Sequence, residues 1–144
     1  MIISDNEFLW PVRVYYEDTD AGGVVYYANY LKFMERARTE FLRSLDFEQD
    51  RLKEDQGIIF AVHSLSVKYK KPAVFNDALL VKTAISHCGR VSMGFSHSII
   101  RAADETELCL AEVKVACINA EKFTPMVIPE VILSKIKREV ISGS

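Results

Sequence analysis

The fold is decided by residues 29–45, which read NYLKFMERARTEFLRSL. Apolar or small side chains recur there at spacings of four, three, four and four residues, at Tyr30, Met34, Ala37, Phe41 and Leu45. This period places them on one face of an amphipathic helix. Leu31, Phe33 and Leu42 widen that face, which favours packing against a sheet. The stretch therefore predicts a long central helix over residues 29–45.

Charged side chains occupy much of the remaining helix surface. Residues three and four positions apart are neighbours on a helix, so opposite charges at these spacings pair in solvent. We expect such a solvated face at Glu35, Arg36, Arg38, Glu40 and Arg43. The charged residues 46–56 predict a short second helix, which ends at Gly57.

The segments around these helices have the pattern of strands. Residues 12–16 alternate between two faces and predict a first strand. Short turns separate the later strands and rule out parallel crossovers, so the strands pair antiparallel. The last residues predict a short helix over 130–140 and a loose tail over 142–144. The four later strands are predicted at residues 58–69, 79–87, 90–101 and 108–119.

These elements make one α+β domain over residues 1–144, in which a curved antiparallel sheet wraps around one long helix. A single sheet has two open edges. Pairing of an edge strand with the same strand of a second copy covers that edge. We therefore expect a homodimer or tetramer with its sites near the interface between copies.

Composition excludes several classes of protein. The chain has 144 residues, 18 Lys plus Arg against 20 Asp plus Glu, and a formal net charge of −2. This balance offers no basic surface for nucleic acid. The three cysteines form no CxxC pair, which favours reduced thiols and no metal site. No signal peptide and no membrane-spanning run are evident, so we expect a cytoplasmic protein.

Two familiar nucleophilic layouts do not fit. The nearest approach to GxSxG, at residues 94–98, lacks the final glycine. Ser96 and His97 are adjacent in a predicted strand, so their side chains point to opposite faces, and the same alternation separates His87 from Cys88. Glycine motifs that cradle phosphates are absent. We expect His63 and His97, on apolar strand faces, to be hydrogen-bonded in the core or an interface.

The segment joining the first strand to the long helix has the character of a site. Residues 15–30 read YYEDTDAGGVVYYANY, with three acids and two glycines followed at once by apolar residues. This order brings a carboxylate to the mouth of an apolar region beside a helix start. The residues alone leave two interpretations open, a catalytic carboxylate and a plain turn or helix cap.

The same segment resembles the signature of the hotdog-fold acyl-CoA thioesterases of the 4-hydroxybenzoyl-CoA thioesterase type. The matching residues are 16–20, 23–26 and 29–30, and the helix run ERARTE at 35–40 is similar to the bacterial Tol-Pal system-associated acyl-CoA thioesterases. Later landmarks agree as well, and the resemblance spans about residues 10–129. They lie at residues 69–73, 76–77, 89–92 and 124–125.

The resemblance implies an acyl-CoA thioesterase without a metal or redox cofactor. Asp20 is then the catalytic carboxylate, acting as general base or as nucleophile. The backbone N–H of Tyr27 at the helix start polarises the thioester carbonyl. Tyr27 stands where many close relatives have His, and a backbone donor is unaffected by that change. Tyr16, Gly23 and Val24 are implied to bind substrate.

Coenzyme A carries phosphates, and basic side chains are candidate anchors for them. Lys70, Lys71 and Arg90 are our candidates, although lysines at a strand end equally guard an edge against aggregation. Two other functions stay open: a hotdog dehydratase or hydratase, and a non-catalytic module that binds or recruits acyl thioesters. The partners expected with these functions are acyl carrier protein and phospholipid-synthesis enzymes at the periphery of the inner membrane.

Overall fold

The computed structural model describes residues 2–4 and 7–138, which form one antiparallel sheet and its helices. A 3-10 turn at Tyr16–Asp18 precedes the long helix. The tail predicted at 142–144 and the last two residues of the predicted terminal helix lie outside the described residues. The strands are β1 Ile2–Ser4, β2 Glu7–Arg13, β3 Ile58–Tyr69, β4 Ala78–Cys88, β5 Ser92–Arg101 and β6 Thr106–Asn119, and the helices are α1 Asn29–Ser44, α2 Gln49–Gln56 and α3 Glu130–Ile136.

Six strands stand in the order β1-β2-β4-β5-β6-β3 in the described part of the chain. Every neighbouring pair is antiparallel, as the short connections require. β3 pairs only with β6, so it forms one edge of the sheet. The predicted α+β architecture, a curved sheet around one long helix, is confirmed.

α1 buries its apolar stripe against the sheet. Phe33, Met34, Ala37 and Phe41 are at most 1% exposed and pack chiefly over β2 and β4. The helix prediction is therefore confirmed to within one residue at its end. α2 ends at Gly57, whose φ of +67° is the left-handed value that a glycine adopts without strain. Among the described residues, no helix combines the length and the apolar character needed to cross a membrane.

The inner face of β6, which faces α1, is apolar as its alternation predicted. Ala111, Val113, Val115 and Cys117 are buried there, and Cys109 lies in register with them. Both cysteines carry free thiols. Burial raises the pKa of Cys109 to about 11 and also raises the pKa of Cys117.

The first strand differs from its prediction because local hydrogen bonds end it early. β2 runs over residues 7–13, not 12–16. The Val14 N–H donates to the Asp77 carbonyl at 3.0 Å, and the Tyr15 N–H donates to Asp18 Oδ2 at 2.9 Å. The chain therefore leaves the sheet at Val14. β1 was not predicted, because its three residues gain strand structure only by pairing with β2.

His97 lies in the core as predicted, whereas the exposed side chain of His63 excludes a core position, so that its place in an interface stays a prediction. A register shift between Val62 and Ser64 inserts His63 as an extra residue in β3, and its side chain is exposed. One inserted residue breaks the strict alternation on which the prediction relied. His97 is 2% exposed and hydrogen-bonded beneath α1.

Arg38 also departs from its prediction as part of a solvated helix face. It is 8% exposed, because it lies at the border of the apolar stripe, where α1 meets the sheet. Its Nη1 lies 3.0 Å from His97 Nε2, and Thr83 Oγ1 lies 3.0 Å from His97 Nδ1. We call Arg38, His97 and Thr83 the buried cluster. Burial, and to a smaller extent the Arg38 charge, lower the pKa of His97 to about 3.

Candidate active site

Residues 16–28, which we call the acid loop, fold back on themselves beside the start of α1. Thr19 and Val25 form an antiparallel bridge, and the Asp20 N–H donates to the Val24 carbonyl at 2.9 Å. The Tyr26 N–H donates to the Asp18 carbonyl at 2.9 Å. The loop's acids are therefore held next to the residues that lead into the helix.

The Asp20 carboxylate lies in the exposed turn of this loop. Its Oδ1 accepts a hydrogen bond of 2.8 Å from the Gly22 N–H, and its carbonyl accepts one of 3.0 Å from the Gly23 N–H. Gly23 has a φ of +81°, and a Cβ at Gly22 would lie 3.2 Å from Oδ1. The two glycines therefore serve different purposes. Gly23 permits the turn, and Gly22 leaves room for the carboxylate.

The electrostatic surroundings of Asp20 include a neighbouring phenol. Interaction with Tyr27, which comes first, and then burial and the Asp20 charge raise the pKa of Tyr26. The Asp20 charge therefore acts on Tyr26, which precedes α1 in the same loop. A hydrolytic site needs such a carboxylate near the position at which a carbonyl is held.

The start of α1 supplies main-chain donors. The N–H of Asn29 donates to the Tyr26 carbonyl at 2.8 Å, and the Asn29 side chain donates to the Asp18 carbonyl at 2.8 Å. No group in residues 2–4 or 7–138 accepts a hydrogen bond from the Tyr27 N–H. Tyr27 lies two residues before Asn29, the first residue of α1, so its N–H lies next to the positive end of the helix dipole. An oxygen that gains negative charge is stabilised at such a position.

A cleft of about 240 Å³ opens beside Tyr27. The Tyr69 hydroxyl donates to the Tyr27 carbonyl at 3.2 Å, and Lys70 Nζ lies 2.5 Å from Glu107 Oε1. The structure thus brings together three of the predicted site residues, Tyr27 and the two lysines. The contact between Tyr69 and Tyr27 spans 42 positions in sequence, so no local pattern indicated it. The cleft is lined by Val25, Tyr27, Tyr30, Tyr69, Lys70, Lys71 and Pro72.

The remaining predicted residues lie further out. Tyr16 is 73% exposed and stacks on Phe75 with ring centroids 3.8 Å apart, beside a different, open cleft of about 740 Å³. Val24 bridges to Val74. Arg90 lies in the turn from β4 to β5, at the opposite end of β4 from the acid loop. Within one chain the structure does not bring Arg90 to Asp20.

The chemistry available at the acid loop is that of a carboxylate and of helix amides. In the described part of the chain no three His, Cys, Asp or Glu side chains cluster in the way that a metal ion requires. The sheet, the single long helix and the carboxylate loop at the helix start together define a hotdog-fold protein with an acid-carrying site.

Comparisons with known proteins identify the family. Residues 14–136 match the model of the thioesterase-like superfamily. The chain is 47% identical over 126 residues to an acyl-CoA thioesterase, YbgC, from Haemophilus influenzae, covering 88% of this chain and 91% of that protein. The chain therefore belongs to the thioesterase-like superfamily.

Solved structures agree with this family. A probable thioesterase from Bartonella henselae superposes with a TM-score of 0.81 at 35% identity, covering 85% of this chain and 99% of that one. A 4-hydroxybenzoyl-CoA thioesterase in complex with 4-hydroxybenzoyl-CoA has a TM-score of 0.85 at 18% identity, covering 90% and 98%. The latter likeness shows the fold alone, and it is the hotdog fold predicted from the sequence.

Proposed function

We propose that this protein is an acyl-CoA thioesterase, which hydrolyses an acyl-CoA thioester to a free acid and coenzyme A. One observation carries the proposal. The loop bearing Asp20 is hydrogen-bonded to the residues that begin α1, where the Tyr27 N–H has no acceptor among the described residues. The relative from Haemophilus influenzae that is named an acyl-CoA thioesterase supports the substrate class.

In the proposed mechanism the Tyr27 N–H donates to the thioester carbonyl oxygen. The negative charge that develops on this oxygen is stabilised by that hydrogen bond and by the dipole of α1. Asp20 removes a proton from a water molecule, whose oxygen adds to the carbonyl carbon. The carbon–sulfur bond then breaks, and coenzyme A leaves as a thiol after receiving a proton.

Direct attack by Asp20 is the second route open to this geometry. The carboxylate oxygen adds to the carbonyl carbon and displaces the coenzyme A thiolate, which leaves a mixed anhydride on Asp20. Water then adds to the Asp20 carbonyl carbon of the anhydride, which releases the product acid with the bridging oxygen and regenerates the carboxylate. Hydrolysis in ¹⁸O-labelled water separates the routes, because under single turnover only the anhydride route transfers an Asp20 oxygen to the product acid.

We assign the remaining predicted residues to substrate binding. Lys70 and Lys71 line the same cleft as Tyr27, which supports a role in holding the coenzyme A phosphates. Tyr16 begins the acid loop, and Gly23 and Val24 shape its turn. Arg90 lies at the opposite end of the sheet from the acid loop of its own chain, so we assign it to the site of another copy.

The proposal includes a homodimer formed through β3. This strand is 12 residues long and, among the described residues, pairs on one side only, which leaves a row of unpaired main-chain groups. Val62, Leu65 and Tyr69 on its inner face are 45–49% exposed. A second copy paired along this edge pairs these main-chain groups and covers these side chains. We further propose that residues 1–144 act as one domain in the cytoplasm.

Hydrolysis of a panel of short, long and aromatic acyl-CoAs tests this function. We expect turnover by the wild type and a loss of about 100- to 10,000-fold in kcat for Asp20→Asn, because a positioned base contributes that much. Glu17→Gln is the matched control, since Glu17 is another exposed acid of the same loop. Turnover by Asp20→Asn at the wild-type rate refutes the catalytic assignment.

The same panel separates the alternative functions. Binding of acyl-CoA without turnover by either protein supports a non-catalytic module. Hydration or dehydration of the acyl chain with the thioester intact supports a hotdog dehydratase or hydratase, although Tyr27 in place of His disfavours that chemistry.

A further inference from the structure

Arg38 is a buried cation without a carboxylate in contact. It is 8% exposed, and its hydrogen-bond partner within the described chain is the neutral ring of His97. No ion pair within 4.0 Å links Arg38 to any acid of residues 2–4 or 7–138. Buried charges in proteins are normally paired, because removal from water is costly. Burial lowers the pKa of Arg38 and the charge of Glu35 in the same chain raises it, so Arg38 has an acid nearby but forms no ion pair with it.

Arg38 lines a cavity of about 100 Å³ between α1 and the sheet. Glu35 and Thr39 line the cavity from the helix, and Phe60 and Val62 line it from the strand. Glu35 lies one turn before Arg38, and its Oε2 accepts a hydrogen bond from Thr39 Oγ1 at 2.5 Å. Its second carboxylate oxygen accepts no hydrogen bond from the described residues.

This cavity lies on the open side of the fold. α1 packs chiefly over β2 and β4, so the inner face of β3 is only partly covered. Residues 31, 35, 38, 39 and 42 form the helix flank that is turned toward β3. A second copy paired antiparallel along β3 is related by a two-fold axis perpendicular to the sheet. That axis sets the two α1 helices antiparallel on the same face of the sheet.

We propose that Glu35 of each copy supplies the counter-anion of Arg38 in the other copy. Two antiparallel helices can be related by a two-fold axis that passes between positions 35 and 38. Residue 35 of each helix then lies opposite residue 38 of the other, so Glu35 and Arg38 make the same contact twice. Two identical ion pairs thus close the interface, and they fix the register of the β3 pairing, which main-chain hydrogen bonds leave unspecified. This inference rests on the dimer of the proposed function.

Measurement of the dimer dissociation constant by sedimentation tests the pairing. We expect Glu35→Arg to raise Kd at least tenfold, because it sets two cations against each other at both contacts. The double variant Glu35→Arg with Arg38→Glu exchanges the charges and returns Kd to within about threefold of the wild type. Arg36→Glu is the control, since Arg36 is an exposed charge on the same helix outside the flank.

Neutral variants keep the test valid if the exchanged pair does not fold. We expect Glu35→Gln and Arg38→Gln each to raise Kd. The Kd of the Glu35→Gln/Arg38→Gln variant does not exceed the higher of the two single-variant values. A Kd of Glu35→Arg equal to that of the wild type overturns the proposal. The proposal is also overturned if a double-mutant cycle of Glu35 and Arg38 shows coupling in the thermal stability of the dilute monomer but none in Kd. That result assigns the pair to one chain.

The outcomes separate this inference from the proposed function. A wild-type dimer that is insensitive to Glu35→Arg refutes the ion pair and leaves the β3 dimer intact. A wild type that stays monomeric refutes both the dimer and the ion pair. Thioester hydrolysis, assayed on the same samples, tests the enzymatic activity independently of either result.

Discussion

The acid loop, at the start of α1, and the buried cluster, between α1 and the sheet, are two polar regions that are built in opposite ways. In the acid loop Asp20 bonds the backbone two residues away, and Asp18 bonds the backbone three residues away, both in solvent. In the buried cluster His97 contacts Arg38 and Thr83, which lie 59 and 14 positions away in sequence. Local bonds let the loop change without unfolding the domain, whereas the cluster fastens α1 to the sheet. We therefore expect substitutions in the acid loop to change catalysis and substitutions in the buried cluster to change stability.

Acidification has the largest expected effect on the buried cluster. The pKa of His97 is lowered from 6.5 to about 3 in the folded state. Between these values the unfolded chain binds a proton that the folded chain does not, so stability is complete above about pH 6.5 and falls as the pH decreases. The slope is about 1.4 kcal/mol per pH unit, or roughly 2 to 3 kcal/mol by about pH 4.5.

Urea unfolding at a series of pH values measures this slope. His97→Gln is the control, since its neutral side chain has no proton to gain. An equal slope in the wild type and His97→Gln assigns the acid sensitivity to other groups.

Removal of one hydroxyl from each region compares how much the two regions contribute to stability. Thr83→Val keeps the shape of the side chain but leaves His97 Nδ1 without its partner, which costs about 1–3 kcal/mol of unfolding free energy. Thr19→Val is the matched change in the acid loop, where the hydroxyl donates to the Tyr16 carbonyl in solvent at 2.8 Å. We expect it to cost about 0.5–1 kcal/mol, measured by the same unfolding assay. A larger loss of unfolding free energy for Thr19→Val than for Thr83→Val contradicts the assignment of the greater stabilising role to the buried cluster.

The smallest effects concern the two glycines of the acid loop. Gly23→Ala forces a side chain into left-handed backbone with free space around it, and costs about 1 kcal/mol of stability. Gly22→Ala introduces a methyl group 3.2 Å from Asp20 Oδ1, so it displaces the carboxylate by a few tenths of an ångström. We expect Gly22→Ala to lower kcat severalfold with an unchanged Tm. Thermal unfolding and acyl-CoA hydrolysis are measured for both variants. Equal changes in Tm and equal changes in kcat contradict this assignment.

Much of the fold was predictable because its signals are periodic and local. The helix stripe, the alternation of β6 and Gly57 each act within a few residues, and the structure places all three as predicted. His63 lies outside the core of the chain because a bulge at this point of β3 interrupts the strict alternation of its faces. β1 was missed because its structure depends on a partner strand.

The candidate site was only partly predictable for a related reason. The acids and glycines of the acid loop are adjacent in sequence, so their clustering was visible in advance. The Tyr69 contact to Tyr27 and the burial of Arg38 both arise from chain segments far apart in sequence. Arg38 lies at the border of the helix stripe, where a helical period alone does not decide which side the sheet covers.

The two thiols on the inner face of β6 have a practical consequence for enzymology. Cys109 and Cys117 are inaccessible and stay protonated near neutral pH, and only the thiolate reacts with disulfide dyes. Cys88 is only partly buried, although burial also raises its pKa, so it is the one thiol that such a reagent can reach. A colorimetric assay of released coenzyme A on the native protein therefore carries a background of at most one equivalent per chain.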